Sequence, residues 1–207
     1  MVYRFLKIVS LPIILLTLVA CNTSQSEFSE QRNIPVALQN GDIAFRCGMG
    51  FASKAILMTN RRSSYSHVGV VVAIDGEWCV IHEVPYEGKT REDDKIYCEP
   101  IGDFFNADRA CAGAIRRVRG LDSLSQIAVR KYVMRQNERG VPFDHNYDLS
   151  DTTHLYCSEL VWRSFQGIGV DVSNGSRSKI NTPGFRGVHI MPADIELNGD
   201  LEEVYAF

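Results

Sequence analysis

The sequence predicts an α+β fold, an antiparallel sheet or barrel of short strands packed against helices gathered on one side. Three observations carry that prediction. β-Branched runs flank an Asp75-Gly76 turn, an apolar stripe of helical period follows Asp122, and a second helical pattern opens at Cys157. With 207 residues, 45% hydrophobic and 23% charged, the chain has enough apolar material for one domain with a sizeable core.

The first twenty residues stand apart. Arg4 and Lys7 form a basic start, and Ile8 to Ala20 form an apolar run too short to span a bilayer comfortably. The junction Leu18-Val19-Ala20-Cys21 resembles a bacterial lipobox. That resemblance implies a signal peptide over 1–20, an acylated Cys21, a polar tether over 21–33 and a folded domain over 34–207. An uncleaved signal anchor is the alternative. The expected location is the bacterial cell envelope, lipid-anchored to a membrane through Cys21 and facing the periplasm or the outside. Removal of Arg4 and Lys7 leaves 20 basic residues against 25 acidic, a net charge of −5. No basic stripe with interleaved aromatics stands out, so nucleic acid is not an expected partner. Arg116, Arg117 and Arg119 read as the solvated end of a strand.

Asn40-Gly41-Asp42 is a turn signal that leads into a strand at Ile43-Ala44-Phe45. Residues 51–59 have helix-forming composition after the Gly48/Gly50 loop. Val68 to Ile74 reads as a buried strand with His67 at its entrance, and Asp75-Gly76 turns it into the returning strand Trp78 to Val84. Short strands are predicted at 95–100 and 112–118. Asp122 or Ser123 caps the next helix, whose stripe is Leu124, Ile127, Ala128, Tyr132 and Val133. A loop over 141–153 precedes the Cys157 helix, which Gly167 and Gly169 end. The stretch 173–188 reads as a Gly/Ser/Asn/Arg-rich excursion, and 201–207 as an edge strand.

Six cysteines are present. With Cys21 set aside for lipid, five remain, so at least one thiol stays free unless chains pair with one another. Cys47, Cys79, Cys98 and Cys111 allow three pairings, among which the sequence does not choose. No CxxC pair is present, and His82-Glu83-Val84-Pro85 lacks the second histidine of a zinc-protease helix. No cofactor is expected.

Cys157 carries the chemistry. A cysteine in the first turn of a helix meets unpaired N–H groups and the positive end of the dipole, and both favour the nucleophilic thiolate. A small buried hydrophobe at a helix start is the plainer reading. The Asp75-Gly76 hairpin sets positions summing to about 151 face to face, which brings His67 near His82 and Glu83. An imidazole beside an orienting polar group is what a cysteine nucleophile needs. A Cys/His zinc site is the rival arrangement.

Together Gly41-Asp42-Ile43, Tyr65-Ser66-His67-Val68-Gly69-Val70, Val80-Ile81-His82, Pro142-Phe143-Asp144 and Tyr156-Cys157-Ser158-Glu159-Leu160-Val161 resemble the YiiX-like branch of permuted papain-fold cysteine peptidases. These are relatives of the NlpC-type cell-wall peptidases and of lecithin retinol acyltransferase. The motif order is the specific feature, because the cysteine helix follows the histidine strand instead of preceding it. The resemblance implies a permuted papain-like fold, with Cys157 as nucleophile, His67 as general base and His82 as third group. Glu83 stands where relatives carry a small residue, so a one-residue slip would hand it the third role. Tyr65 and Tyr156 flank the pair and would shape the substrate pocket, although core packing explains them equally. The implied activity is cleavage of an amide bond in a cell-wall peptide or acylated amine through an acyl-enzyme. An acyltransferase, a lipid-ester hydrolase or a binding lipoprotein are the alternatives.

Overall fold

A computed structural model describes residues 31–85, 94–182 and 185–207. Its centre is a six-stranded antiparallel sheet in the order β4-β3-β2-β1-β5-β8. The strands are β1 (Ile43–Gly48), β2 (His67–Ile74), β3 (Glu77–Glu83), β4 (Ile96–Pro100), β5 (Ala110–Val118) and β8 (Leu201–Ala206). Strands β6 (Ser178–Thr182) and β7 (Phe185–His189) form a separate hairpin. The helices are α1 (Phe51–Thr59), α2 (Ile101–Phe104), α3 (Ser123–Glu138), α4 (Cys157–Gln166) and α5 (Pro192–Glu196). The described sheet stays open, with β4 and β8 at its edges, and does not close into a barrel.

Alternation along the strands makes two cores. Ile43, Phe45, Val68, Val70, Val72 and Ile81 pack against Val129 and Val133 of α3 and Leu160 and Phe165 of α4. On the opposite face Ala44, Val71 and Val80 meet Ile101, Phe104 and Phe105 in and beside α2. Helices therefore cover both faces, α2 being one that the sequence pattern did not reveal.

The Asp75-Gly76 turn has positive φ at both positions (50° and 88°), the backbone of a type I′ hairpin. It fixes the register Gly69↔His82, Val70↔Ile81 and Val71↔Val80, the sum of 151 expected from the sequence. Helix α3 begins as expected, with the Asp122 side chain accepting from Ser125 N–H at 2.7 Å. Its buried face differs from the expected stripe. Leu124 and Ile127 are exposed, whereas Val129, Val133 and Gln136 are covered. Arg116 and Arg117 also depart from the solvated reading: Arg117 forks onto the buried Asp42 carboxylate at 2.7 and 2.8 Å, and Arg116 binds Glu196 at 2.7 Å. Those pairs tie the Gly41-Asp42 turn and α5 to β5.

Candidate active site

Three strands build a diagonal staircase of polar side chains on the α2 face. His67 opens β2, and its ring Nε2 lies 2.9 Å from Nδ1 of His82 on β3. His82 Nε2 lies 2.8 Å from Oε1 of Glu99 on β4. Each step joins a residue to the diagonal neighbour of its cross-strand partner, since Gly69 opposes His82 and Val80 opposes Glu99. Gly69 clears the first step. A Cβ at that position would stand 2.5 Å from Val80 Cγ1 and 2.8 Å from His82 Cβ. Glu99 also pairs with Arg109 and, at 3.5 Å, with Arg46, whose guanidinium lies over the Phe104 ring.

This staircase determines which nitrogens carry protons. The Glu99 carboxylate accepts, so His82 Nε2 donates and its Nδ1 is left as an acceptor. His67 Nε2 then donates to His82, and its Nδ1 keeps the lone pair a general base requires. Burial alone would raise the Glu99 carboxyl, but the His82 bond and the charges of Arg109 and Arg46 outweigh it and hold the group below its ordinary value. The outer end of the staircase lines a cavity of about 440 Å³ with Tyr97, Cys98 and Arg109.

Cys157 is the first residue of α4, after the extended N-cap Tyr156. Two local bonds set that helix start. Asp144 N–H donates to Leu155 O at 2.7 Å, and the Asp144 carboxylate accepts from Asn146 N–H at 2.8 Å, folding the 142–155 loop onto itself. The Glu159 carboxylate accepts from the Tyr156 N–H, the N3-to-N-cap half of a capping box, and binds Arg163 at 2.7 Å. The Cys157 sulfur receives the N–H groups of Ser158 and Val68. Val68 can donate because the β2–β3 ladder begins one residue later, at Gly69↔His82. The thiol thus rests against the backbone next to His67, without a thiol–imidazole hydrogen bond. Such bonds are often long until substrate arrives.

Burial governs the resting charges. It pushes the Cys157 thiol up to about 11 despite its N–H donors, and the nearby Glu83 pushes the same way. Burial, then Arg46, then His82 push His67 well below the usual histidine range. The resting pair is a neutral thiol and a neutral imidazole, not the ion pair that a helix-start cysteine suggests. On the α4 face lies a buried carboxylate group of Glu83, Glu159, Asp144 and Asp94. Neither Glu83 oxygen has a hydrogen-bond partner, and burial followed by the neighbouring acids raises its carboxyl to about 10.

Comparison with known proteins decides the family. The sequence pattern of the permuted papain-like amidase enzymes, the YaeF/YiiX or C92 family, matches residues 37–180. The chain belongs to that family. As a YaeF/YiiX-type amidase it is a cysteine hydrolase. No curated protein matches the sequence. Among solved structures, it resembles one described as the metalloprotein yiiX from Escherichia coli O157:H7, with 23% identity and a TM-score of 0.66. The match covers 82% of this chain and 97% of that one, and it shows the permuted papain-like fold. Among the described residues of this YaeF/YiiX-family chain, no group of three or more His, Cys, Asp or Glu side chains is placed to hold a metal ion.

The residues singled out from the sequence fall as follows. His67 and His82 meet on one face, and Cys157 reaches the strand end beside them. Glu83 points to the opposite face and makes no hydrogen bond to His67, whereas His82 does so at 2.9 Å. Tyr65 is half-buried against Phe45, with ring centroids 5.8 Å apart. Tyr156 is 1% exposed and its hydroxyl accepts from Ile190 N–H at 3.1 Å, which places it in the core with no surface to offer a substrate. Cys21 and the segment 1–30 lie outside the described residues, and no described helix is long and apolar enough to cross a membrane. Sequence reasoning missed Glu99, Arg46 and Arg109. The only available hint was a lone acid on a short strand after His82.

Proposed function

We propose that the protein cleaves an amide bond in a cell-wall peptide or a small acylated amine through an acyl-enzyme on Cys157. The observation that carries this reading is the His67–His82–Glu99 staircase ending beside a helix-start thiol. His67 Nδ1 takes the thiol proton as sulfur attacks the substrate carbonyl, because the resting pair is neutral and no thiolate is stored. Tyr156 offers no capping side chain, so first-turn N–H groups of α4 remain available to the developing oxyanion. The imidazolium formed on His67 is stabilised through His82 by the Glu99 carboxylate. It returns the proton to the departing amine, and water then releases the acyl group by the same route.

The test is incubation with peptidoglycan fragments and acyl-amino acids, followed by mass spectrometry. Acyl mass should accumulate transiently on the tryptic peptide 140–163, which contains Cys157. Cys157→Ala should fold and lose turnover by about a thousandfold or more. Near-wild-type turnover by that variant ends the reading. The Leu18-Val19-Ala20-Cys21 junction supports action at the cell envelope from a lipid anchor. Release of Cys21→Ala from the membrane fraction, with hydrolysis intact, is the expected outcome; undiminished attachment sinks the anchor.

A further inference from the structure

Four cysteines that the hydrolase chemistry does not use sit in pairs. Cys47 on β1 and Cys111 on β5 bring their sulfurs to 2.8 Å. A bulge causes this. Cys47 opposes Ala112 and Gly48 opposes Ala110, so Cys111 is the extra residue of β5 and turns toward Cys47. Across β3 and β4, Cys79 opposes Pro100 while Cys98 opposes Ile81, which makes the two cysteines diagonal neighbours on one face. Both are free thiols, close enough to hydrogen-bond to each other. The sheet order β4-β3-β2-β1-β5 excludes the other pairings. Cys47 is separated from Cys79 by all of β2, and from Cys98 by β2 and β3. Strands lie about 4.8 Å apart, so those pairs stand at about 10 Å or more, beyond the ~7 Å Cα limit of a disulfide.

We propose that this chain carries two disulfides, Cys47–Cys111 and Cys79–Cys98, and keeps Cys157, at the start of α4, as the free thiol among the five described cysteines. Each pair joins an exposed cysteine, Cys111 or Cys98, to a more covered one, Cys47 or Cys79. The exposed thiolate attacks a small-molecule or protein disulfide and releases one thiol. The covered partner then displaces the second thiol from the mixed disulfide. Each bridge thus loses two protons and two electrons, and one disulfide oxidant is reduced to two thiols.

The bridges clasp the outer end of the staircase. Cys98 precedes Glu99, Cys47 follows Arg46, and Cys111 lies two residues after Arg109. Glu99 and its two arginine partners therefore sit within two residues of a crosslink. The edge strand β4, held only by β3 within the sheet, gains a covalent tie.

The test needs no substrate and is independent of the hydrolase reading. The full chain is oxidised with glutathione disulfide, alkylated without reduction and digested with trypsin. All five thiols of the described residues fall in separate peptides. Peptide 47–54 should be crosslinked to 110–116, and 63–89 to 96–109, while 140–163 carries an alkylated Cys157. Oxidised protein should also melt several degrees above the reduced form, and a Cys79→Ala/Cys98→Ala variant should lose only the second crosslink. Four freely alkylated cysteines, a single crosslink, or any bridge that includes Cys157 overturns the proposal.

Discussion

Glu83 offers a measurement in which sign and size both follow from its surroundings. Its carboxyl is fully buried, both oxygens lack partners, and burial with Glu159, Asp144 and Asp94 raises it from 4.5 to about 10. The folded chain therefore holds a proton that the unfolded chain has released anywhere between those two values. A group raised on folding contributes its full stability below the unfolded pKa and loses it as pH rises through the folded one. The slope is at most ~1.4 kcal/mol per pH unit, so at pH 7.5 the loss is bounded by ~4 kcal/mol. Glutamine has nearly the same shape and does not titrate, and it leaves a comparable number of polar atoms unpaired. Glu83→Gln should stabilise the protein by ~2–4 kcal/mol near pH 7.5 and by almost nothing near pH 4.5. Urea unfolding followed by the fluorescence of Trp78 and Trp162, at pH 4.5 and pH 7.5, measures both ends. Glu159, raised to about 7 by burial, adds its own slope to both proteins, so the informative quantity is their difference. Parallel stability–pH curves for the two proteins would refute the buried-acid account. Turnover should change by less than about tenfold, since Glu83 lies on the face opposite His67.

Three further substitutions and one pH profile probe the same geometry. His82→Ala should lower kcat by about a hundredfold, and Glu99→Gln by about tenfold, ~1.4 kcal/mol of barrier. In the wild type the acid limb of kcat/KM should lie below pH 6.5, because His67 is held neutral to lower pH; a limb at 6.5 or above contradicts its buried environment. Gly69→Ala should destabilise by ~1–3 kcal/mol and lower kcat, because the new methyl meets Val80, His82 and the Ile81 carbonyl at 2.5–2.9 Å; thermal melting and kinetics at wild-type stability would rule out the clash.

Much of the site was legible because two local rules fix it. Asp75-Gly76 selects a type I′ turn, the turn fixes the register, and alternation then puts His67 and His82 on one face and Glu83 on the other. Glu99 was invisible because its meaning depends on how β4 pairs with β3, across a connection too long to set the register as the Asp75-Gly76 turn does. The α3 stripe shows the same limit. Val133 is buried as expected, yet long-range packing chose Val129 and Gln136 over Leu124 and Ile127 for the rest of the covered face. Arg116 and Arg117 looked solvated because Asp42 and Glu196 approach them only in the folded chain. The thiol charge failed for a related reason. A helix start is local and supplies donors, but the burial that overrides them arises only when α4 packs on the sheet.

On the proposed mechanism, the neutral resting pair changes what the outer residues are for. With a stored thiolate, the third group would chiefly stabilise a charge already present on the base. Here no such charge exists before attack, so what matters first is that His67 presents a lone pair at Nδ1 rather than at Nε2. A hydrogen bond to a charged acceptor contributes about 1.5–3 kcal/mol, enough to shift a tautomer ratio by one to two orders of magnitude. Glu99 supplies that bias to His82, and His82 passes it to His67 at 2.9 Å. Arg46 and Arg109 keep Glu99 ionised, and Arg46 also keeps His67 from charging early. On the proposed mechanism the carboxylate two rings away therefore chooses which His67 nitrogen keeps its lone pair, and it stabilises the imidazolium only once the substrate has drawn the proton across.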